Sequence, residues 1–241
     1  MLIALSTAPS RHTEPDVSIL YVPTPVPFTP HDPSWRQPLH LHFRPLWRAL
    51  TRALGALDGR VLDIGCGMQP YRVLLGPRVT EYVGVDRAGP LSNPTVVADA
   101  DALPFESATF DGVMSTQVFE HLRDPEAGLR ESARVLRPGG RIVLTVPGVW
   151  PTHEAPHDYW RFTRHGLERS LATAGFTDVH IEVLGGLWST VGQMINLELQ
   201  RARYARELVP LVNLAASFLD RRAPTHEDLA LAWLATGVRA G

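Results

Sequence analysis

The hydrophobic rhythm of the chain changes at about residue 45. Nine prolines fall within residues 1–45, among them Pro23, Pro25, Pro27 and Pro30. Each removes a backbone donor and restricts φ, so this stretch reads as an extended N-terminal arm. From Pro45 onward, Leu46, Leu50, Ala53, Leu54 and Leu57 recur at helical spacing until Asp58-Gly59 stops them, which predicts an amphipathic helix leading into the core. Short β-rich runs follow at Arg60–Ile64, Tyr82–Val85, Thr95–Ala98, Phe110–Met114 and Arg141–Val146. The helical pattern Pro125–Leu136 lies between the last two and closes at Arg137-Pro138-Gly139-Gly140. His165–Ala174 reads as a helix ended by Gly175, Val179–Leu184 as a strand, residues 189–220 as a helical insertion, and Leu231–Val238 as the last strand. Strands spaced by helices predict βαβ units and a parallel sheet, the α/β class.

With 241 residues, 44% apolar and 20% charged, the chain suits one large α/β domain, residues 46–241, behind the 1–45 arm. Collagen, coiled coil and a disordered chain are excluded. The 23 basic and 25 acidic residues give a net charge of −2, and no basic run is dense enough to follow a phosphate backbone, so no nucleic acid partner is expected. Every basic residue is Arg, which excludes a Schiff-base lysine mechanism. The single cysteine, Cys66, closes no intrachain disulfide and reads as a small filler beneath a loop. Met1–Ala8 has neither the charged region nor the cleavage site of a signal peptide, and cytoplasmic is the default expectation. The apolar stretch Leu208–Leu219 is shorter than the roughly 20 residues of a transmembrane helix, so no membrane span is expected.

The chemistry collects at strand ends. Val61-Leu62-Asp63-Ile64-Gly65-Cys66-Gly67 is a buried strand running into a glycine turn, where a missing Cβ lets the backbone approach a ligand. About 20 residues on, Asp86 ends the next strand, where a carboxylate can accept both hydroxyls of a ribose. A third tip supplies Asp99-Ala100-Asp101-Ala102-Leu103-Pro104-Phe105, polar and then apolar, suited to bonding an exocyclic amine and covering an aromatic base.

Taken together, Asp63-x-Gly65-x-Gly67, Asp86, Asp99–Phe105, Phe110-Asp111, Glu120-His121-Leu122 and Leu136-Arg137-Pro138-Gly139-Gly140 resemble the class I S-adenosylmethionine-dependent methyltransferases, and specifically their small type 11 branch, over roughly residues 58–184. The resemblance implies a Rossmann-like, seven-stranded, mostly parallel sheet with helices on both faces. It also implies S-adenosyl-L-methionine as cofactor, with S-adenosyl-L-homocysteine as product. Asp63 and the backbone of Gly65 and Gly67 would hold the methionine end, Asp86 the ribose, and Asp99 with Ala100 the adenine. Arg87 and Gln117 complete the implied cofactor set. The third glycine frequent in the family's loop is Gln69 here, a departure that bears on the fine shape of the loop.

Residues 58–146 then form the cofactor half and 147–165 the acceptor loop. That loop contains the letters His-Glu-x-x-His at His153–His157. A zinc protease carries them on a helix, which Pro151 and Pro156 forbid, so no metal ligands are assigned. His157 and His153 are instead the candidates to accept a proton from the nucleophile, and Tyr159, Trp160 and Phe162 either shape the acceptor pocket or lock the loop. His121 reads as a structural neighbour of the pocket. The arm, the 147–163 loop and the 189–220 insertion are expected to form a lid over a small-molecule acceptor, a natural product or a sugar-like metabolite methylated at oxygen or nitrogen. Trp35, Trp47, Trp150, Trp160 and Trp188 would be its aromatic supply. An arm this long also suits exchange between subunits of a homo-oligomer. A protein or RNA acceptor and a non-catalytic cofactor-binding module stay open as alternatives. A nicotinamide oxidoreductase fits less well, because its Gly-x-Gly-x-x-Gly is not what Gly65-Cys66-Gly67-Met68-Gln69-Pro70 spells.

Overall fold

The computed structural model describes residues 33–202, 205–222 and 229–241, so the expectations for residues 1–32 of the arm lie outside the described residues. Seven strands form one sheet: β1 (Gly59–Ile64), β2 (Val79–Asp86), β3 (Val96–Val97), β4 (Phe110–Thr116), β5 (Leu136–Pro147), β6 (Phe176–Leu184) and β7 (Ala232–Arg239). Their order is β3-β2-β1-β4-β5-β7-β6. The first five run parallel, and β7 is antiparallel to both neighbours. This is the expected Rossmann-like, mostly parallel α/β architecture. The order reverses between β1 and β4, and such a switch point opens a crevice beyond the carboxyl ends of the strands.

The central strands are buried on both faces, so their side chains alternate between two cores. Val61, Met114, Val143 and Leu234 meet Leu46, Leu50 and Leu54 of helix α1 (His40–Leu54). Leu62, Val113, Ile142 and Ala235 pack on the other side with Leu129 and Val135 of α2 (Pro125–Val135) and Leu167 and Leu171 of α3 (Arg164–Thr173). Helix α2 starts on two signals: Asp124 accepts the Ala127 amide at 2.9 Å and Pro125 occupies the first turn.

Four boundaries depart from the sequence pattern. Helix α1 begins at His40 and carries Pro45 inside it; burial of His40, Leu41 and His42 extends the apolar stripe through a proline read as the boundary of the 1–45 arm. Strand β5 begins at Leu136, so Arg137-Pro138-Gly139-Gly140 belongs to a long strand rather than to a turn. Strand β6 begins at Phe176, before an irregularity at which Asp178 has φ 50°. The insertion is two helices, α4 (Leu187–Ala202) and α5 (Val209–Asp220), which pack on each other and on α1. The Asp220 carboxylate accepts the Trp188 and Ser189 amides at 2.9 Å each, so the end of α5 caps the start of α4. Asn213 accepts from Asn196 at 2.8 Å and donates to the carbonyls of Trp35 and Gln37 at 2.7 and 3.0 Å, tying the segment before α1 to the insertion.

Candidate active site

A cavity of about 1000 Å³ lies at the carboxyl ends of β1, β2 and β4, large enough for a nucleoside cofactor and a small second ligand. Gly65, Gly67, Asp86, Arg87, Asp99, Ala100, Gln117 and His157, all anticipated from sequence, line it.

The glycine turn is built by its hydrogen bonds. The Gly65 and Cys66 amides both donate to the Val85 carbonyl, at 2.8 and 3.1 Å, bending the chain back over the end of β2. Gly65 sits at φ 70°, and a Cβ there would lie 2.3 Å from Val118 Cγ2, so that position needs glycine on both counts. Gln69, in place of the third glycine, takes φ 60° and is held by Cys66, Asn93 and Arg72. The loop thus keeps a left-handed residue there without a glycine.

Asp86 accepts the Gly67 amide at Oδ2 (2.8 Å) and the Arg87 amide at Oδ1 (2.7 Å). Each oxygen keeps a further lone pair, enough to receive a pair of hydroxyls. The Asp99–Phe105 segment is clamped from behind. Arg134 donates to the carbonyls of Leu103 (3.0 Å) and Phe105 (2.7 Å) and pairs with Glu131, which accepts the Leu103 amide at 2.9 Å.

Two anticipated residues are not on the cavity wall. Asp63 turns from the crevice into the α1 side of the sheet, where it is 4% exposed and accepts the Tyr82 hydroxyl at 2.7 Å. Burial pushes its carboxyl up to about 7, against the Tyr82 hydrogen bond and with a further upward push from Asp86. Burial likewise pushes the Cys66 thiol up to about 12, as fits a filler and not a nucleophile. His153 stands behind the loop with Nδ1 3.2 Å from Asp158 Oδ2, and burial lowers its pKa. Of the expected lid, the 147–163 loop lines the cavity through Glu154, Ala155, His157 and Tyr159, while among the described residues none of 189–220 and no tryptophan does. The insertion packs on α1.

The acceptor loop is stapled to the short helical turn Phe119–His121 that follows β4. The Glu120 carbonyl accepts the amides of Tyr159 and Trp160 at 2.9 and 3.2 Å, the Trp160 indole donates to the Leu122 carbonyl at 2.9 Å, and His121 Nδ1 lies 2.7 Å from the His157 carbonyl. His157 Nδ1 lies 3.1 Å from the Tyr159 hydroxyl. His121, Glu154 and Tyr159 join the wall. The sequence named His121 and Tyr159 without assigning them a certain place there, and Glu154 escaped because it was weighed only as part of a zinc motif. Glu120 is fully buried, and burial pushes its carboxyl up to about 8. The sequence placed it in the Glu120-His121-Leu122 motif without giving it a role, and nothing in that motif announces its burial.

Residues 62–144 match the methyltransferase domain family. Among curated relatives, a demethylmenaquinone methyltransferase of Mycolicibacterium paratuberculosis is 39% identical over 107 residues, covering 41% of this chain and 46% of that protein. The chain spans about half the length of the curated relatives it matches. Among solved structures, an S-adenosylmethionine-dependent methyltransferase from Mesorhizobium loti superposes with a TM-score of 0.53 at 19% identity, over 83% of this chain and all of that one. The [4+2]-cyclase SpnF superposes at 0.54 with 21% identity, over 80% of this chain and 81% of that one. At these identities the superpositions show a shared fold, and a fold that serves both a methyltransferase and a cyclase leaves function to the site.

Proposed function

We propose that this chain, whose residues 62–144 are a methyltransferase domain of the class I, type 11 kind, transfers a methyl group from S-adenosyl-L-methionine to an oxygen or nitrogen of a small-molecule acceptor. The observation that carries the reading is the junction of three strand tips on one cavity: the glycine turn, whose Gly65 has no room for a Cβ, the Asp86 carboxylate with lone pairs to spare, and the clamped Asp99–Phe105 segment.

These residues fit the cofactor. Asp86 would receive the ribose hydroxyls, Asp99 and Ala100 would border the adenine, and Gly65, Gly67, Arg87 and Gln117 would surround the remainder. Asp63, behind the wall, supports the turn rather than touching the ligand. The bound cofactor supplies an electrophilic methyl carbon whose leaving group is a neutral thioether. The protein's main task is alignment and exclusion of water, which is worth about 7 to 11 kcal/mol. A protonated acceptor has to give up its proton to a base. His157, on the wall and oriented by the Tyr159 hydroxyl, is the proton acceptor we assign, a role worth about 10² to 10⁴ in rate. His153 lies off the wall and is not assigned that role.

A cavity bounded by Glu154, His157 and Tyr159 favours a compact acceptor over a macromolecular one, and the even charge balance favours neither RNA nor DNA. No helix among the described residues is long and apolar enough to cross a membrane. Calorimetric titration of S-adenosylhomocysteine into the wild type and Asp86→Ala, with NAD as control, tests the proposal. Micromolar binding that weakens at least 100-fold in the variant supports it. Absence of binding by a folded wild type, or preference for NAD, rejects it.

A further inference from the structure

We propose that Glu120, His121 and His153 form a binding site for a divalent transition cation of the zinc type, with Glu154 as an exchangeable fourth ligand. One ligand atom from each of the first three residues lies within 4.8 Å of the others. The inference does not depend on methyl transfer.

Glu120 poses the problem that a cation solves. Its side chain is 0% exposed, and neither carboxylate oxygen has a hydrogen-bond partner among the described residues. A buried carboxylate is costly unless it is paired, hydrogen-bonded or bound to metal. His121 sharpens the point. Its Nδ1 lies 2.7 Å from the His157 carbonyl oxygen, which can only accept, so Nδ1 carries a proton and Nε2 is the ring nitrogen turned to the carboxylates. That nitrogen stands 3.8 Å from Glu120 Oε1 and 3.8 Å from Glu154 Oε2. Two carboxylate oxygens turned to one ring nitrogen favour positive charge at that point, which a bound cation supplies.

The surroundings are those of a supported metal site. A histidine ligand usually donates its other nitrogen to a carbonyl or carboxylate, which sets the tautomer and the ring orientation. His121 has the His157 carbonyl in that place; the Asp158 carboxylate stands 3.2 Å from His153 Nδ1 without a hydrogen bond to it. Asp158 is itself anchored by Arg161 at 2.6 and 2.7 Å and by the His153 amide at 2.8 Å. Two imidazoles with a carboxylate form a donor set that suits zinc. Tetrahedral zinc holds its ligands about 3.4 Å apart, so the 3.8 Å pairs need little contraction, while His153, within 4.8 Å of the other two, would have to close further. The two segments are already joined through the Glu120 carbonyl, so the site comes largely preformed. His-Glu-x-x-His therefore divides: His153 and Glu154 reach the cluster, while His157 backs it through its carbonyl.

The test uses the untagged full chain, stripped with chelator and titrated with Zn²⁺ against a chromophoric competitor, and with Co²⁺ to record the visible absorption of a four-coordinate ion. The expected result is one equivalent bound with a Kd below about 1 μM, a rise in melting temperature on loading, and at least 100-fold weaker binding in both Glu120→Gln and His153→Gln. His165→Gln, whose side chain is 90% exposed, should leave binding unchanged. Should Glu120→Gln fail to fold, His153→Gln, at a partly exposed position, decides the matter alone. No binding tighter than about 100 μM, or binding that survives both variants, overturns the proposal. The separate titration with S-adenosylhomocysteine reports on the cofactor reading, so failure of one is distinguishable from failure of the other.

Discussion

Asp63→Asn is the substitution whose effect can be worked furthest from the structure. The carboxyl group lies under the glycine turn at 4% exposure, with one hydrogen bond from Tyr82 at 2.7 Å. Burial first, and Asp86 further, push it from 3.8 to about 7. Between those two values the folded chain keeps a proton that the unfolded chain has released, so stability falls as pH rises across the window. The whole span corresponds to about 4 kcal/mol. Asparagine keeps the shape, can accept the Tyr82 hydroxyl and has no proton to lose, so its stability lacks this slope. For a domain of this size, the variant should match or trail the wild type near pH 5 and exceed it near pH 8 by on the order of 10 °C in melting temperature. Thermal melts of both proteins from pH 5 to 8.5 measure this. Other titrating groups, Glu120 included, act in both proteins and cancel in the difference. Parallel curves across the range would show that Asp63 is ionised in the native state at all these pH values, and the reasoning from burial would be wrong.

Gly65→Ala should cost about 3 kcal/mol, because the added Cβ meets Val118 Cγ2 at 2.3 Å and the residue must hold φ 70°. Combining it with Val118→Ala should restore only part of the loss in melting temperature, since the backbone strain stays. Arg134→Gln removes the donors to the Leu103 and Phe105 carbonyls. Hydrogen exchange should quicken at the amides of Ala102, Leu103 and Phe105, and the Kd for S-adenosylhomocysteine should rise about tenfold, with little change in the exchange of β1 or β4.

The sheet was legible because parallel strands buried on both faces are written as short continuous apolar runs, and β1 and β7 lie within a residue of where those runs place them. The cofactor tips were legible for a related reason: Gly65, Gly67, Asp86 and Asp99 sit at fixed offsets from those runs, so local pattern brings them to one edge. What failed was of two kinds. Pro45 and the Arg137–Gly140 run carry strong local signals for a break, and tertiary burial and strand pairing override them. The acceptor side failed differently. Glu120, His121, His153 and Glu154 come from two segments joined by backbone hydrogen bonds across more than thirty residues, and no periodicity records such a contact. Asp63 shows a limit of resemblance itself: its place in the motif is as expected, yet its carboxylate faces Tyr82 and not the cavity.

The acceptor loop is a wall and not a flap, and this changes where selectivity must reside. Arg161 donates to the carbonyls of Trp150 and Pro151 and grips Asp158, the Trp160 indole holds Leu122, and the Trp233 indole reaches from β7 to the Phe162 carbonyl at 2.9 Å. These bonds tie the loop to its own start, to Leu122 after the Phe119–His121 turn and to β7, so opening it would break several hydrogen bonds together. Helices α4 and α5 pack on α1 and on each other. An acceptor bound as proposed would meet a preformed surface that includes Arg123, His157 and Tyr159. A preformed surface spends little binding energy on ordering protein groups, so substitutions at His157 and Tyr159 should alter which acceptor is taken while leaving the Kd for S-adenosylhomocysteine nearly unchanged.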